Sequence, residues 1–83
     1  MESNLQAMYK AKAYIMECLH AIYEKKNGNN AIMNRYIPRV ESKEWKAILL
    51  AHEDEIVLGG RFYALKGKAI GCGVVEVNYV EKV

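Results

Sequence analysis

The sequence predicts an α+β domain in which three helices are followed by an antiparallel β-hairpin or a three-stranded meander. Three observations carry that expectation. Apolar residues recur at helical spacing up to about residue 54 and at strand spacing beyond it. Pro38 and Ser42 punctuate the helical part, because proline disfavours helical geometry at the residue before it and serine caps a helix that follows. Gly59-Gly60 then separates two strand-like runs, and both positions of a two-residue hairpin turn favour positive φ.

The first helix is expected from Ser3 to about Lys26. Leu5, Met8, Lys12, Ile15, Leu19 and Ile22 recur at steps of three and four, and Tyr9, Met16 and Tyr23 widen the stripe to the breadth of a core-facing helix. Ser3 or Asn4 supplies the N-cap; Lys25, Lys26 and then Asn27-Gly28 favour an end. A second, shorter helix spans Asn30 to Ile37, with Ala31, Ile32, Met33 and Tyr36 inward. A third runs from Lys43 to about Glu53, capped by Ser42, with Trp45, Ile48 and Leu49 on its apolar face and His52 one turn on.

Ile56-Val57-Leu58 and Arg61 to Leu65 form the hairpin strands. Gly67-Lys68 is read as a second turn, and Gly71 and Gly73 as a bend or bulge. The last strand, Val74 to Val80, is rich in β-branched residues and sets Val75, Val77 and Tyr79 on one face. The expected core is Leu5, Met8, Ile15, Leu19, Ile22, Ile32, Trp45, Ile48, Leu49, Ile56, Phe62, Val75 and Val77.

At 83 residues the chain forms one domain, 1–83, and its 52% hydrophobic and 27% charged residues are a globular profile rather than a disordered one. Such a domain buries only roughly 60% of the surface of its unfolded chain, so dimerisation would help it. No run approaches the ~20 apolar residues of a membrane span. MESNLQAMYK has no basic segment leading into an apolar one, so a cytoplasmic protein without a membrane partner is expected. Cys18 and Cys72 form no CxxC pair and are expected as two free, buried thiols.

Catalytic chemistry finds little support. Glu17, His20 and Glu24 share a helical face, but a carboxylate-bridged metal site needs matching units on other helices, and none exists. Local charge pairs are the expected role, with no metal and no cofactor. Cys18 and His20, two apart, point to different sides of the helix. The acidic run His52-Glu53-Asp54-Glu55 solvates a turn. Gly67-Lys68 precedes a strand instead of opening a helix, unlike a phosphate loop. No enzyme is expected.

The order of elements resembles the winged helix-turn-helix group: a scaffold helix, a short helix, a Pro-containing turn, a capped third helix and a hairpin. That resemblance implies a third helix in the major groove of duplex DNA and a hairpin turn on the adjacent backbone. Between Tyr9 and Lys46, eight Lys/Arg oppose four Glu. Arg35, Arg39, Lys43 and Lys46 are the expected phosphate contacts around the third helix, joined by Arg61 at the hairpin. Against this stand Glu41 and Glu44, the scarcity of base-reading side chains on that helix, and the tightness of the Gly59-Gly60 turn.

The alternative is a protein-binding module or inhibitor that works by occupying a partner's surface, a design frequent among small proteins of viruses and mobile elements. Six tyrosines are many for this length, and tyrosine is enriched at interfaces. Tyr14, off the main stripe, and Lys12, within the seam, are its candidate interface residues. A homodimer through the first helix fits either reading. The sequence therefore leads to a non-enzymatic DNA-binding regulator first and a protein-binding module second.

Overall fold

The computed structural model describes residues 3–27 and 37–82. The apolar stripe near the start of the chain forms α1 (Asn4–Asn27), with Met8, Ala11, Ile15 and Leu19 buried along one face. Its cap is reciprocal. Ser3 Oγ accepts the Gln6 N–H and Gln6 Oε1 accepts the Ser3 N–H, both at 3.1 Å, so two otherwise unpaired donors are satisfied.

The expected second helix lies outside the described residues except for Ile37, which is not helical. Beyond buried Pro38 the chain forms β1 (Arg39–Glu41) and then α2 (Ser42–Leu50). Ser42 is the first residue of α2 and not its cap. Its N–H donates to the Gly73 carbonyl at 2.8 Å, while Glu44 Oε1 accepts the Glu41 N–H at 2.8 Å as half of a capping box. The helix ends at Leu50, short of the expected Glu53. His52 takes φ 56 and the Glu53 N–H closes onto the Ile48 carbonyl at 3.0 Å, a left-handed termination without glycine.

β2 (Glu55–Leu58), β3 (Arg61–Gly71) and β4 (Val74–Glu81) complete one antiparallel sheet in the order β1-β4-β3-β2. The architecture is α+β, with two helices among the described residues where three were expected, and four strands instead of two or three. The extra strand is β1, which pairs Arg39 to Glu41 with Glu76 to Val74 of β4. Gly67-Lys68 makes no turn; both residues sit inside β3. The reversal comes at Gly71-Cys72-Gly73, beside a register shift between Ala69 and Gly71.

Both helices cover one face of the sheet. Val40, Ile56, Leu58, Tyr63, Leu65, Val75 and Val77 point to that face and pack on Ile48 and the α1 stripe. Three expected core residues, Leu5, Leu49 and Phe62, are exposed, and Ile22 and Trp45 are only partly buried. Ile32 lies outside the described residues. Phe62 misses the core because the two-residue turn sets Ile56 opposite Tyr63 and Val57 opposite Phe62, so burying Ile56 turns Phe62 outward. The thiols are free, but Cys18 is only half-buried and Cys72 is exposed at φ 52 in the tight turn. No described helix is long and apolar enough to cross a membrane.

Candidate interaction surface

Side chains alternate across a strand, so the residues between the buried ones form the opposite face of the sheet. Neither helix covers that face. Cross-strand register arranges it in rows: Val57 beside Phe62, then Glu55, Ala64 and Val80, then Lys66 beside Asn78, then Lys68, Glu76 and Arg39. The first two rows hold an apolar strip in which Phe62 is 62% exposed, Val80 53% and Val57 49%. The last two rows are polar and rich in cations.

The charges on this face differ in their partners. Lys82 binds Glu55 at 2.7 Å, Arg39 reaches Glu76 at 3.7 Å, and Lys43 reaches Glu41 at 3.5 Å. Lys66 and Lys68 are exposed and make no ion pair among the described residues. Among the described residues, the face thus joins an exposed apolar strip to a surplus of two positive charges.

Around the edge strand β2 the strip continues into a groove of about 450 Å³ lined by Lys12, Met16, Glu55, Ile56, Val57 and Phe62. Lys12 closes the helical side of that groove. Its side chain is only 14% exposed and its ammonium binds Glu53 Oε1 at 3.0 Å, so this expected interface residue is engaged within the molecule. A second apolar groove, of about 230 Å³, lies where the start of α1 meets the end of α2, between Leu5, Met8, Ala47 and Leu50.

Of the five residues expected on DNA, the structure describes four, and Arg61 lies apart from the other three. Arg35 lies outside the described residues. Arg39, Lys43 and Lys46 gather around the β1–α2 junction, whereas Arg61 sits at the other end of the sheet and reaches Glu81 at 3.6 Å. Lys68, which shares a row with Arg39, is seven residue steps along β3 from Arg61; at ~3.3 Å per step this is roughly 23 Å. Lys46 is exposed on α2.

Tyr14 is exposed, as expected, and Cys18, one helical turn on, has its thiol pushed up from its ordinary value, chiefly by burial. Glu17, His20 and Glu24 belong to no metal-binding cluster, and no group of three or more such ligands occurs among the described residues. Tyr63 stacks edge to face with Tyr23 at 6.4 Å and with Tyr79 at 5.1 Å, an aromatic column within the packed side of the sheet.

The outward strip of Val57, Phe62 and Val80 was missed by sequence reasoning, although the two-residue turn carries the signal that places Val57 and Phe62 together. Comparison with known proteins found no matching family model, no matching curated protein and no matching solved structure.

Proposed function

We propose that this chain is a protein-binding module that docks a partner protein on the open face of its sheet. The carrying observation is the contiguous strip of Val57, Phe62 and Val80, exposed on a face that neither helix covers. Burying such a strip against a partner is favourable by about 25 cal/mol per Å² of apolar surface, and aromatic side chains are common anchors of binding energy. Its expected activity is occupancy of a partner's surface, with no chemical step.

A photo-crosslinking amino acid at position 62 or 80, compared with one at Glu17 on α1, tests the reading in an extract of the source cells. A defined protein crosslinked from 62 and 80 but not from 17, and lost from an 80-crosslinker chain carrying Phe62→Ser, supports it. Equal labelling from all three positions overturns it.

Duplex DNA binding of winged-helix type is the second reading, and one observation favours it. The Ser42 N–H bonds the Gly73 carbonyl at 2.8 Å, so the start of α2 and the tip of the β3–β4 hairpin lie side by side, with Arg39, Lys43 and Lys46 around them. In this version β3–β4 is the wing and α2 the recognition helix. The ion pairs of Arg39 and Lys43 with Glu76 and Glu41, and the remoteness of Arg61, favour the protein reading over it. Fluorescence anisotropy with a mixed-sequence duplex across a salt series decides: steep salt-dependent binding, reduced in Lys43→Ala and Lys46→Ala, would put DNA first. The homodimer expected through the first helix would use exposed Leu5 and Tyr9, and sedimentation velocity of Leu5→Ser tests it.

A further inference from the structure

Resting on the protein-binding reading, we infer that the partner presents an acidic amphipathic segment, its apolar residues over Val57, Phe62 and Val80 and its carboxylates over Lys66 and Lys68. The inference comes from the order of charge along the sheet face. In the apolar half the ionic groups at hand, Glu55 and Lys82, neutralise each other at 2.7 Å. The adjoining half holds three cations, Arg39, Lys66 and Lys68, against Glu76, which Arg39 already reaches, and Glu41 in the next row is reached by Lys43. An occupant that covers both halves must bring apolar surface to the first and negative charge to the second, because covered lysines without counter-charge are costly.

A second copy of this chain does not meet that requirement. Two such faces stacked on each other set lysines over lysines or lysines over the apolar strip, where the carboxylate in these rows, Glu55, is already bound by Lys82 at 2.7 Å. Single-stranded nucleic acid would supply the charge. It draws its remaining affinity from base stacking on aromatic side chains, however, and Phe62 is the only aromatic residue in these rows. A segment that alternates or spaces apolar and acidic side chains satisfies both halves together.

Selection from a displayed library of random short peptides tests this and requires no identified partner. The baits are the wild-type chain, Lys66→Glu/Lys68→Glu and Phe62→Ser, with binding sites mapped by amide chemical shifts. Expected on the wild type are peptides combining apolar residues with Asp or Glu, shifting Phe62, Lys66, Lys68 and Val80. The double variant should bind those peptides about tenfold more weakly and select Lys- or Arg-bearing ones instead.

Apolar peptides that need Phe62 but show no acidic enrichment would overturn the inference while leaving the open-face reading intact. Failure to select any peptide that depends on Phe62 would overturn both. Binding of an oligothymidylate at Lys66 and Lys68, steeply weakened by salt and without peptide selection, would replace the acidic segment with nucleic acid. Concentration-dependent shifts of the same residues in the free protein would replace it with a second copy.

Discussion

The indole of Trp45 rests on the bare backbone of Gly67, so close that a β-carbon at residue 67 would overlap its Nε1, Cε2 and Cζ2 atoms. This contact explains a glycine in the middle of an eleven-residue strand, where it otherwise weakens the element. It also anchors α2 on the sheet. Gly67→Ala is expected to cost about 1–3 kcal/mol by overpacking and to change the tryptophan fluorescence. Gly60→Ala meets open space and carries only the strain of its φ of 78, about 1–2 kcal/mol, with fluorescence unchanged. Urea titration followed by tryptophan emission separates the two.

Leu58 and Phe62 flank the same Gly59-Gly60 turn, yet their roles differ. Leu58 is 1% exposed and Phe62 62%. Leu58→Ala should therefore cost about 2–5 kcal/mol, whereas Phe62→Ser should fall within about 0.5 kcal/mol of wild type. A large loss of stability in Phe62→Ser would return that residue to the core and remove it from the binding strip. Equilibrium unfolding of both variants checks this before any binding experiment is interpreted.

Alkaline pH should destabilise the protein through its packed phenols. Burial raises Tyr63 and Tyr79 above their ordinary value near 10. Above about pH 10 the unfolded chain releases these protons while the folded one still holds them, so stability falls as pH rises and levels off only once the folded phenols titrate. Below that range neither contributes. The urea midpoint should be flat from about pH 7 to 9 and drop beyond about pH 10, with a shallower drop in Tyr79→Phe, which keeps the ring but not the proton.

The two thiols should react at different rates. Cys72 is exposed in a turn, while Cys18 is half-buried and its thiol is held above the usual range chiefly by burial. Since the thiolate is the reactive form, modification by a disulfide reagent at neutral pH should show a fast and a slow phase. Cys72→Ser should remove the fast one alone.

Lys12 gives a further test, because its stem lines the groove while its ammonium binds Glu53 at 3.0 Å. Glu53 is half-exposed, so loss of the ion pair alone should cost no more than about 1 kcal/mol. Lys12→Met, which preserves the stem, should be milder than Lys12→Ala, which removes its packing as well. Thermal melts of the two variants measure the difference.

Helix α1 was legible because its stripe repeats over several turns, and β4 because its β-branched residues alternate cleanly. Other features were hidden for identifiable reasons. Arg39–Glu41 is too short to show any period, and only its pairing with β4 makes it a strand. In Phe62-Tyr63-Ala64-Leu65 both alternating sets are apolar, so the pattern alone allowed Phe62 to be placed in the core, which it does not join. The two-residue turn decides the inward set by setting Ile56 opposite Tyr63. Gly67 read as a turn because the indole that requires its missing side chain comes from a helix more than twenty residues earlier. The grouping of Arg39 with Lys43 and the separation of Arg61 from both depend on strand order, which no local spacing records.

That strand order has a bearing on how the molecule is made. Among the described strands, the first to leave the ribosome, β1, pairs with the last, β4, which also supplies one of the two central positions in the sheet. During synthesis β2 and β3 can close their hairpin early, but β1 and one side of β3 must wait for Val74–Glu81. Until then the inward faces of Val40 and Leu65 lack their neighbours, and a nascent chain stopped before residue 74 exposes two unpaired strand edges at once. Such an intermediate is prone to pair with other chains, so translation that stalls late should be more damaging to this protein than translation that stalls early.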